Sequence, residues 1–285
     1  MPLVTIEHVT DLDYQAVRRE LVSFIRGFFR AAGARGLVVG VSGGVDSATT
    51  LALAVDAVGA DRVLALIMPD TRVTPEEDVR DALEVVKAFG VEHVKLEIDA
   101  IVDAFVRVAG EASKKTVGNL RARVRMALLY YHANERNLLV TGTGDRSELS
   151  IGYFTKYGDG GVDFLPIGVL YKTQVRRLAV ELGVPRRIAE KPSSPRLWEG
   201  HMAEEELGVS YVDVDTVLFA LLDLGLPPKK AAEVTGKSVE VVERVCELMN
   251  SAKHKQVPLP MPSLEAVYAH WPGLEKAREA LRSRA

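Results

Sequence analysis

Gly40-Val41-Ser42-Gly43-Gly44-Val45-Asp46-Ser47 closes the apolar run Leu37 to Val41 and opens the helical run Ala48 to Val58. A strand, a glycine-rich turn and a helix N-terminus in that order make a phosphate cradle. Gly43 and Gly44 can take positive φ, so successive N–H groups converge on an anion, and Ser42 and Ser47 add hydroxyl donors. Asp46 is the unexpected member, because a carboxylate beside phosphates repels them unless a divalent cation lies between, and Mg²⁺ is the usual one. The stretch is not a Walker A loop: G-x-x-x-x-G-K-[ST] is absent and no Lys follows the glycines. The plainer alternative is an ordinary βα turn with a capping Ser.

Composition narrows the classes. With 285 residues and 47% hydrophobic content the chain can bury one large core, or one core and a small appendage. A formal charge of −3 gives no general electrostatic reason to bind nucleic acid or an anionic membrane. The single cysteine, Cys246, excludes an internal disulfide framework, a C-x-x-C redox motif and a cysteine-rich zinc site, and fits a reducing, cytoplasmic setting. No signal-peptide pattern opens the sequence, and no apolar run approaches the roughly 20 residues of a membrane span.

Hydrophobic spacing then orders the chain. Residues from about Leu12 to Ala32 carry Val17, Leu21, Phe24 or Ile25, and Phe28 at three- and four-residue steps, an amphipathic helix ended near Gly33. Val63 to Ile67 is a strand stopped by Met68-Pro69. Thr74-Pro75-Glu76-Glu77 carries an N-cap, an N1 proline and first-turn acids for a helix to about Phe89. Val91 to Ile98 reads as a strand, Ile101 to Ala112 as a helix, about Asn119 to Asn134 as a long helix, and Leu138 to Thr141 as a strand. Strands alternating with helices imply a parallel, doubly wound α/β sheet with right-handed crossovers. Ligands bind beyond the carboxyl ends of such strands, where strand order reverses, so the 42–47 turn, Met68-Pro69 and Gly142 to Glu148 belong to one site. Gly158 to Gly168 and Lys191 to Gly200 are loops long enough to be functional. From Tyr211 the chain is helical, over Val212 to Leu222, Pro228 to Val234 and Val239 to Met249. The last pair resembles a helix-turn-helix but carries as many acids as bases, which favours a hairpin packed on the main domain.

S-G-G-x-D-S resembles the pyrophosphate loop of the N-type ATP pyrophosphatases, which split ATP between its α and β phosphates and adenylate an oxygen. The later blocks resemble one branch of that group. They are Gly118-Asn119-Leu120-Arg121-Ala122-Arg123-Val124-Arg125-Met126, Gly142 to Glu148, Ile151-Gly152-Tyr153-Phe154-Thr155-Lys156-Tyr157-Gly158-Asp159-Gly160-Gly161, Leu170-Tyr171-Lys172-Thr173-Gln174-Val175, Lys191 to Gly208 and His254-Lys255. Their order and spacing are similar to those of NAD synthetase.

The resemblance implies a five-stranded parallel sheet of the adenine-nucleotide α-hydrolase type, with a sheet core over about 12–190 and a closing loop and helical region over about 191–285. It implies amidation of deamido-NAD by ammonia, with ATP giving AMP and pyrophosphate through an adenylated carboxylate. It assigns ATP to Gly40, Val41, Ser42, Gly43, Gly44, Val45, Asp46, Ser47, Thr143, Lys172 and Ser194. Mg²⁺ falls to Asp46 and Glu148, and deamido-NAD to Arg123, Lys156, Asp163, His254 and Lys255. Asp46, Lys172 and Asp159 are the implied catalytic groups. Asp159 is a candidate for holding ammonium and helping it lose a proton, or else a turn aspartate between glycines. A homodimer is implied, with the long helix at its interface. Departures fall at Met202-Ala203, where relatives often carry a polar pair, at Ser194, where Thr is usual, and at Gln256, where Arg is common. The cradle begins too early for a glutaminase domain to precede it, so free ammonia or a separate amidotransferase is expected to supply nitrogen. Competing readings are another ATP pyrophosphatase, such as a GMP synthetase or a tRNA-thiolating enzyme, and a nucleotide-sensing DNA-binding regulator. Thiolation needs cysteines or a basic RNA-binding module, which the sequence lacks.

Overall fold

The computed structural model describes residues 2–256 and, beyond them, positions 263, 274, 276, 278 and 282. The helical C-terminal region is expected to run to 285, and its part beyond 256 lies outside the described residues apart from those positions.

After a short helix α1 (Ile6–Thr10), α2 (Tyr14–Ala32) is fixed at both ends. Asp13 accepts from the Ala16 amide at 3.0 Å, and Gly33, at φ 63°, closes the helix as only a residue tolerant of the left-handed region can. Ile25 rather than Phe24 takes the inward position: Ile25 is fully buried and Phe24 stands 48% exposed.

Four strands follow, β1 (Gly36–Gly40), β2 (Val63–Ile67), β3 (Glu92–Lys95) and β4 (Leu138–Thr141), all parallel in the order β3-β2-β1-β4. Alternate residues of the central strands face opposite cores. Leu37, Val39, Val63, Ala65 and Ile67 pack with α2, α3 (Val45–Val58), α4 (Glu76–Ala88), α8 (Lys172–Glu181) and α9 (Arg186–Ala189). Val38, Leu64, Leu66 and Val140 pack with α5 (Asp99–Ala109) and α6 (Lys114–Arg136). Helices on both faces explain why β1 and β2 read as unbroken apolar runs rather than as alternation. β3 is an edge strand whose Glu92, His93 and Lys95 are exposed; it is shorter than the expected Val91 to Ile98, although the Leu96 and Ile98 amides still donate to the Ile67 and Pro69 carbonyls at 2.8 and 3.0 Å.

Of the five strands expected from the resemblance, four pair in one parallel sheet among the described residues. Beside β4, where a fifth would lie, a single parallel bridge joins Thr141 to Phe164. The chain there is a glycine-rich turn that leaves the sheet after one pairing.

Two boundaries differ for identifiable reasons. Ser113 caps α6 through the Thr116 amide, so that helix begins at Lys114, before the expected Asn119. The N-cap of α4 is Pro75 with no side-chain cap, while the Thr74 hydroxyl accepts from the Asp70 amide at 3.2 Å instead. After α7 (Arg146–Ile151) and the loops, α10 (Ala203–Leu207), α11 (Tyr211–Leu218), a π-helical turn at 219–223, α12 (Pro228–Thr235) and α13 (Val239–Gln256) gather on a further core. It contains Val9, Ile151, Tyr171, Tyr211, Val214, Val242 and Val245. The α12–α13 hairpin therefore spends its apolar face on packing. Among the described residues no helix is long and apolar enough to cross a membrane.

Candidate active site

β1 runs on to β2 and β3 on one side while β4 lies on the other, so strand order reverses between β1 and β4. At that crevice lies a cavity of about 580 Å³. Gly40 to Ser47, Met68-Pro69, Thr143 and Glu148 line it, together with Tyr153 to Thr155, Asp159, Lys191 to Trp198 and Lys255. The three strand-end segments expected to meet do meet.

The cradle is preformed. Gly43 stands at φ 81°, and Ser42 and Ser47 are locked by hydrogen bonds from the Ser42 amide to Ser47 Oγ at 3.1 Å and from Ser47 Oγ to the Gly44 carbonyl at 3.1 Å. Gly44 starts α3 without a side-chain cap, which leaves the first amides of that helix for an anion.

Beside the cradle, the carboxylates of Asp46, Asp145 and Glu148 offer oxygens all within 4.8 Å of one another. Lys172 Nζ sits among them, 2.6 Å from Asp46, 3.0 Å from Asp145 and 2.7 Å from Glu148. Three acids and one lysine leave a surplus of negative charge in a buried place. Burial pushes the Asp145 carboxyl up to about 7 and the Glu148 carboxyl well above its usual range, against the pull of Lys172. Burial alone would lower the Lys172 ammonium, but the three carboxylates outweigh it and hold the lysine firmly charged. Asp46 Oδ1 is buried without a hydrogen-bond partner, and Asp145 Oδ2 has only the Lys172 ammonium, at 3.0 Å. Hard oxygen donors, surplus negative charge and an unsatisfied buried carboxylate oxygen on Asp46 fit a divalent cation such as Mg²⁺. Asp46 and Glu148 are the partly exposed pair that reaches the cavity, while Asp145 and Lys172 are fully buried behind them.

Sequence reasoning missed Asp145. Its signal is the pattern Asp145-x-x-Glu148: Asp145 caps α7 through the Glu148 amide at 2.8 Å, so its position was readable as a capping box though its place among the acids was not. Also missed was the pair Asp70 and Arg121, in contact at 2.6 Å. Asp70 is fully buried, and Arg121 also donates to the Leu197 carbonyl at 2.9 Å.

The other expected residues divide. Ser194, whose hydroxyl donates to the His201 carbonyl, lies in the loop that forms one wall. Lys172 does not line the cavity. Arg123, Lys156, Asp163 and His254 lie outside its lining. Arg123 donates to the Lys156 carbonyl at 3.3 Å and Lys156 to the His254 carbonyl at 3.2 Å, so these three join along one outer surface. Asp163 accepts from Tyr130 at 2.9 Å and from the Val140 amide at 2.7 Å. Lys255 closes the end of α7 by donating to the Gly152 and Phe154 carbonyls, both at 2.7 Å, and Gln256 donates to Leu149 and Ser150 beside it. The Gln256 departure thus keeps a capping amide where an arginine is common. Asp159, exposed on the cavity wall, accepts from the Thr155 amide at 2.9 Å, and desolvation by the protein around it pushes its carboxyl up.

Both loops over the cavity hold a non-glycine residue in the left-handed region, Tyr157 at φ 58° and Arg196 at φ 49°. Arg196 is fastened there by Asp78, at 2.6 Å, and Lys191 by Asp78 and Asp81, both at 2.5 Å.

Fold and site together define a doubly wound α/β nucleotide-binding protein, with a glycine cradle and an acidic cluster at the switch point. The sequence matches NAD synthase over residues 17–258, and the chain belongs to that family. It is 56% identical over 260 residues to the NH3-dependent NAD+ synthetase of Hyperthermus butylicus, which spans 91% of this chain and 94% of that one. It is 52% identical over 273 residues to the NH3-dependent NAD+ synthetase of Aeropyrum pernix, across 94% and 96% of the two chains. Among solved structures it is similar to the NMN synthetase of Francisella tularensis, with TM-score 0.79, 33% identity and coverage of 89% and 100%. The NH3-dependent NAD synthetase of Campylobacter jejuni follows with TM-score 0.76, 28% identity and coverage of 88% and 100%.

Proposed function

We propose that this chain amidates deamido-NAD with ammonia and ATP, yielding NAD, AMP and pyrophosphate. One observation carries the reading: the phosphate cradle and the Asp46–Glu148 carboxylates open side by side into one cavity. A nicotinate carboxylate is a poor acyl donor. One of its oxygens must first attack the α phosphorus of ATP, forming a mixed anhydride with AMP as the bond to pyrophosphate breaks. Ammonia then adds to the acyl carbon, AMP leaves with the bonding pair, and the nitrogen gives up a proton.

The first step brings two anions together, so the site must neutralise charge before it can orient anything. The cradle amides and Ser42 and Ser47 hydroxyls bind the leaving phosphates. Asp46 and Glu148 would hold Mg²⁺, which when bound supplies positive charge against the triphosphate. Lys172 keeps the acids together and lowers their mutual repulsion. The 157–163 and 191–208 segments would close over the site and exclude water from a hydrolysable anhydride. The reading assigns Thr143 and Ser194 to the nucleotide, and Arg123, Lys156, Asp163, His254 and Lys255 to the dinucleotide.

The same reading takes residues 1–285 as one synthetase unit, with the Thr141–Phe164 bridge as the place of a fifth strand and residues 191–285 as closing loop and helices. It also takes the chain as a homodimer joined through α6, whose Tyr131 stands 69% exposed. A stable monomer by light scattering at micromolar concentration rejects the dimer.

The activity is tested by product analysis with ATP, Mg²⁺ and deamido-NAD, supplying ammonium in one arm and glutamine in the other. Equal NAD, AMP and pyrophosphate in the ammonium arm are expected. Pyrophosphate without NAD, or preference for the mononucleotide acceptor over the dinucleotide, rejects it.

A further inference from the structure

Asp215, on α11, is fully buried, yet its carboxylate serves two other helices. Its Oδ1 accepts from Ser147 Oγ at 2.5 Å and its Oδ2 from the Thr173 amide at 2.8 Å. Ser147 Oγ accepts in turn from the Lys172 amide at 2.8 Å. Ser147 directly precedes Glu148 and Thr173 directly follows Lys172, so one carboxylate grips the first turn of α7 and the first turn of α8 beside the groups that matter.

The need for packing does not explain this acid. Tyr211, Val214, Val217 and Leu218 already supply the buried face of α11. A carboxylate taken out of water costs several kcal/mol unless its partners compensate, and an apolar side chain of similar size would fill the place without that cost. What the carboxylate adds is direction. It accepts at the start of α8, where the helix dipole favours negative charge, and it fixes the Ser147 hydroxyl so that its lone pair meets the Lys172 amide.

We propose that Asp215 is a positioning residue for adenylation: acting through Ser147 and the Thr173 amide, it sets the backbone of Lys172 and the turn bearing Glu148, and so the placement of the carboxylate cluster against the nucleotide. The inference rests on the functional reading above. Lys172 Nζ keeps contacts of 2.6–3.0 Å with three carboxylates, a geometry that a shift of its backbone by about 1 Å would break, and misplacement on that scale can cost about 10²-fold in rate.

The test compares Asp215→Ala, Ser147→Ala, the double variant and Asp215→Asn. Pyrophosphate release and amide formation are followed separately, with ATP binding by calorimetry and thermal unfolding alongside. Asp215→Ala and Ser147→Ala should each lower kcat for adenylation by about 10- to 100-fold while leaving the KM for ammonium unchanged. The double variant should be no slower than the poorer single one, because the two residues act as one chain. Asp215→Asn should recover most of the rate, since its Oδ1 can still accept from Thr173 while its Nδ2 donates to Ser147 Oγ. Near-normal adenylation in folded Ser147→Ala or Asp215→Ala overturns the proposal. So does a loss that falls equally on all three substrates and tracks the melting temperature. If Asp215→Ala does not fold, Ser147→Ala and Asp215→Asn decide. The wild type is assayed first: if it makes no NAD, the functional reading fails, and calorimetric ATP binding by the variants still reads the positioning by itself.

Discussion

A Cβ placed on Gly43 would lie 2.2 Å from the backbone carbonyl oxygen of Asp78. The glycine turn is thus seated directly on the first turn of α4, and Asp78 in turn fastens Lys191 and Arg196 of the loop over the cavity. Cradle, helix and loop form one mechanical unit. Gly43→Ala meets backbone rather than a pliable side chain and must also take φ 81°, so it should cost about 1–3 kcal/mol of stability and weaken ATP binding at least about tenfold. Gly44→Ala is the control, because its Cβ would meet only Ser42 Oγ, at 3.4 Å. Urea unfolding and calorimetry on the pair check this, and equal behaviour of the two variants would refute it.

Asp46→Asn and Glu148→Gln should each slow adenylation by about 10²-fold or more while leaving the fold intact. The stability side follows from charge: three carboxylates share one lysine, so neutralising one relieves repulsion and leaves Lys172 two partners. Raised Mg²⁺ should recover part of the rate. Near-normal turnover at ordinary Mg²⁺ in either variant would remove the metal assignment.

Much of this was legible in the sequence because it depends on local chemistry. A glycine pair after an apolar run requires a turn, and apolar runs between helical segments require a parallel sheet, so β1, β2, β4 and the cradle are where they were expected. The extent of a fifth strand was not legible, since whether Phe164 continues a ladder depends on the turn that follows its one bridge. Side-chain pairings were the least legible. Nothing in the spacing of Asp70 and Arg121, or of Ser147 and Asp215, marks them as partners, because those contacts are made by the packing of distant elements. The apolar faces of α12 and α13 are a case where spacing permitted two readings, DNA reader or packed hairpin, and Ala231, Val234, Val242 and Val245 are buried as packing requires.

Asp70 gives an acid-side prediction. Burial alone would raise its carboxyl, but hydrogen bonds from Arg72 and Arg121 outweigh burial and bring it down to about 2. A carboxyl held below its usual 3.8 stabilises the fold fully above that pH, by about 2 kcal/mol, and loses the contribution as pH falls from about 4 to about 2. Arg121→Met should therefore destabilise the protein by about 1–3 kcal/mol at pH 7 and by progressively less below pH 4. It also removes the anchor on the Leu197 carbonyl, so KM for ATP should rise. Thermal unfolding of both proteins across a pH series tests the first part, and a destabilisation that stays constant down to pH 2 would contradict it.

The final prediction separates the two chemical steps. Asp159 lines the same cavity as the cradle, and its carboxyl is pushed up by the protein around it, which suits a group that must take a proton and pass it on. It hangs on a turn tied by the Thr155 amide, in which the Gly158 and Gly160 amides donate to the Thr155 carbonyl and Gly158 and Gly160 leave no room for a side chain. If Asp159 receives the proton that ammonium must lose, Asp159→Asn should still form the adenylate at close to the normal rate, because the cradle and the acids at Asp46 and Glu148 are untouched. Amide formation should fall by about 10²-fold at neutral pH, the range expected for loss of a general base. The deficit should shrink as pH rises, because free NH3 replaces ammonium in solution and no longer needs the base. Adenylate and amide are to be followed separately in this variant from pH 7 to about pH 9.5, a range that spans the titration of ammonium. Equal loss of both steps, unchanged by pH, would reassign Asp159 to holding the loop or binding the dinucleotide.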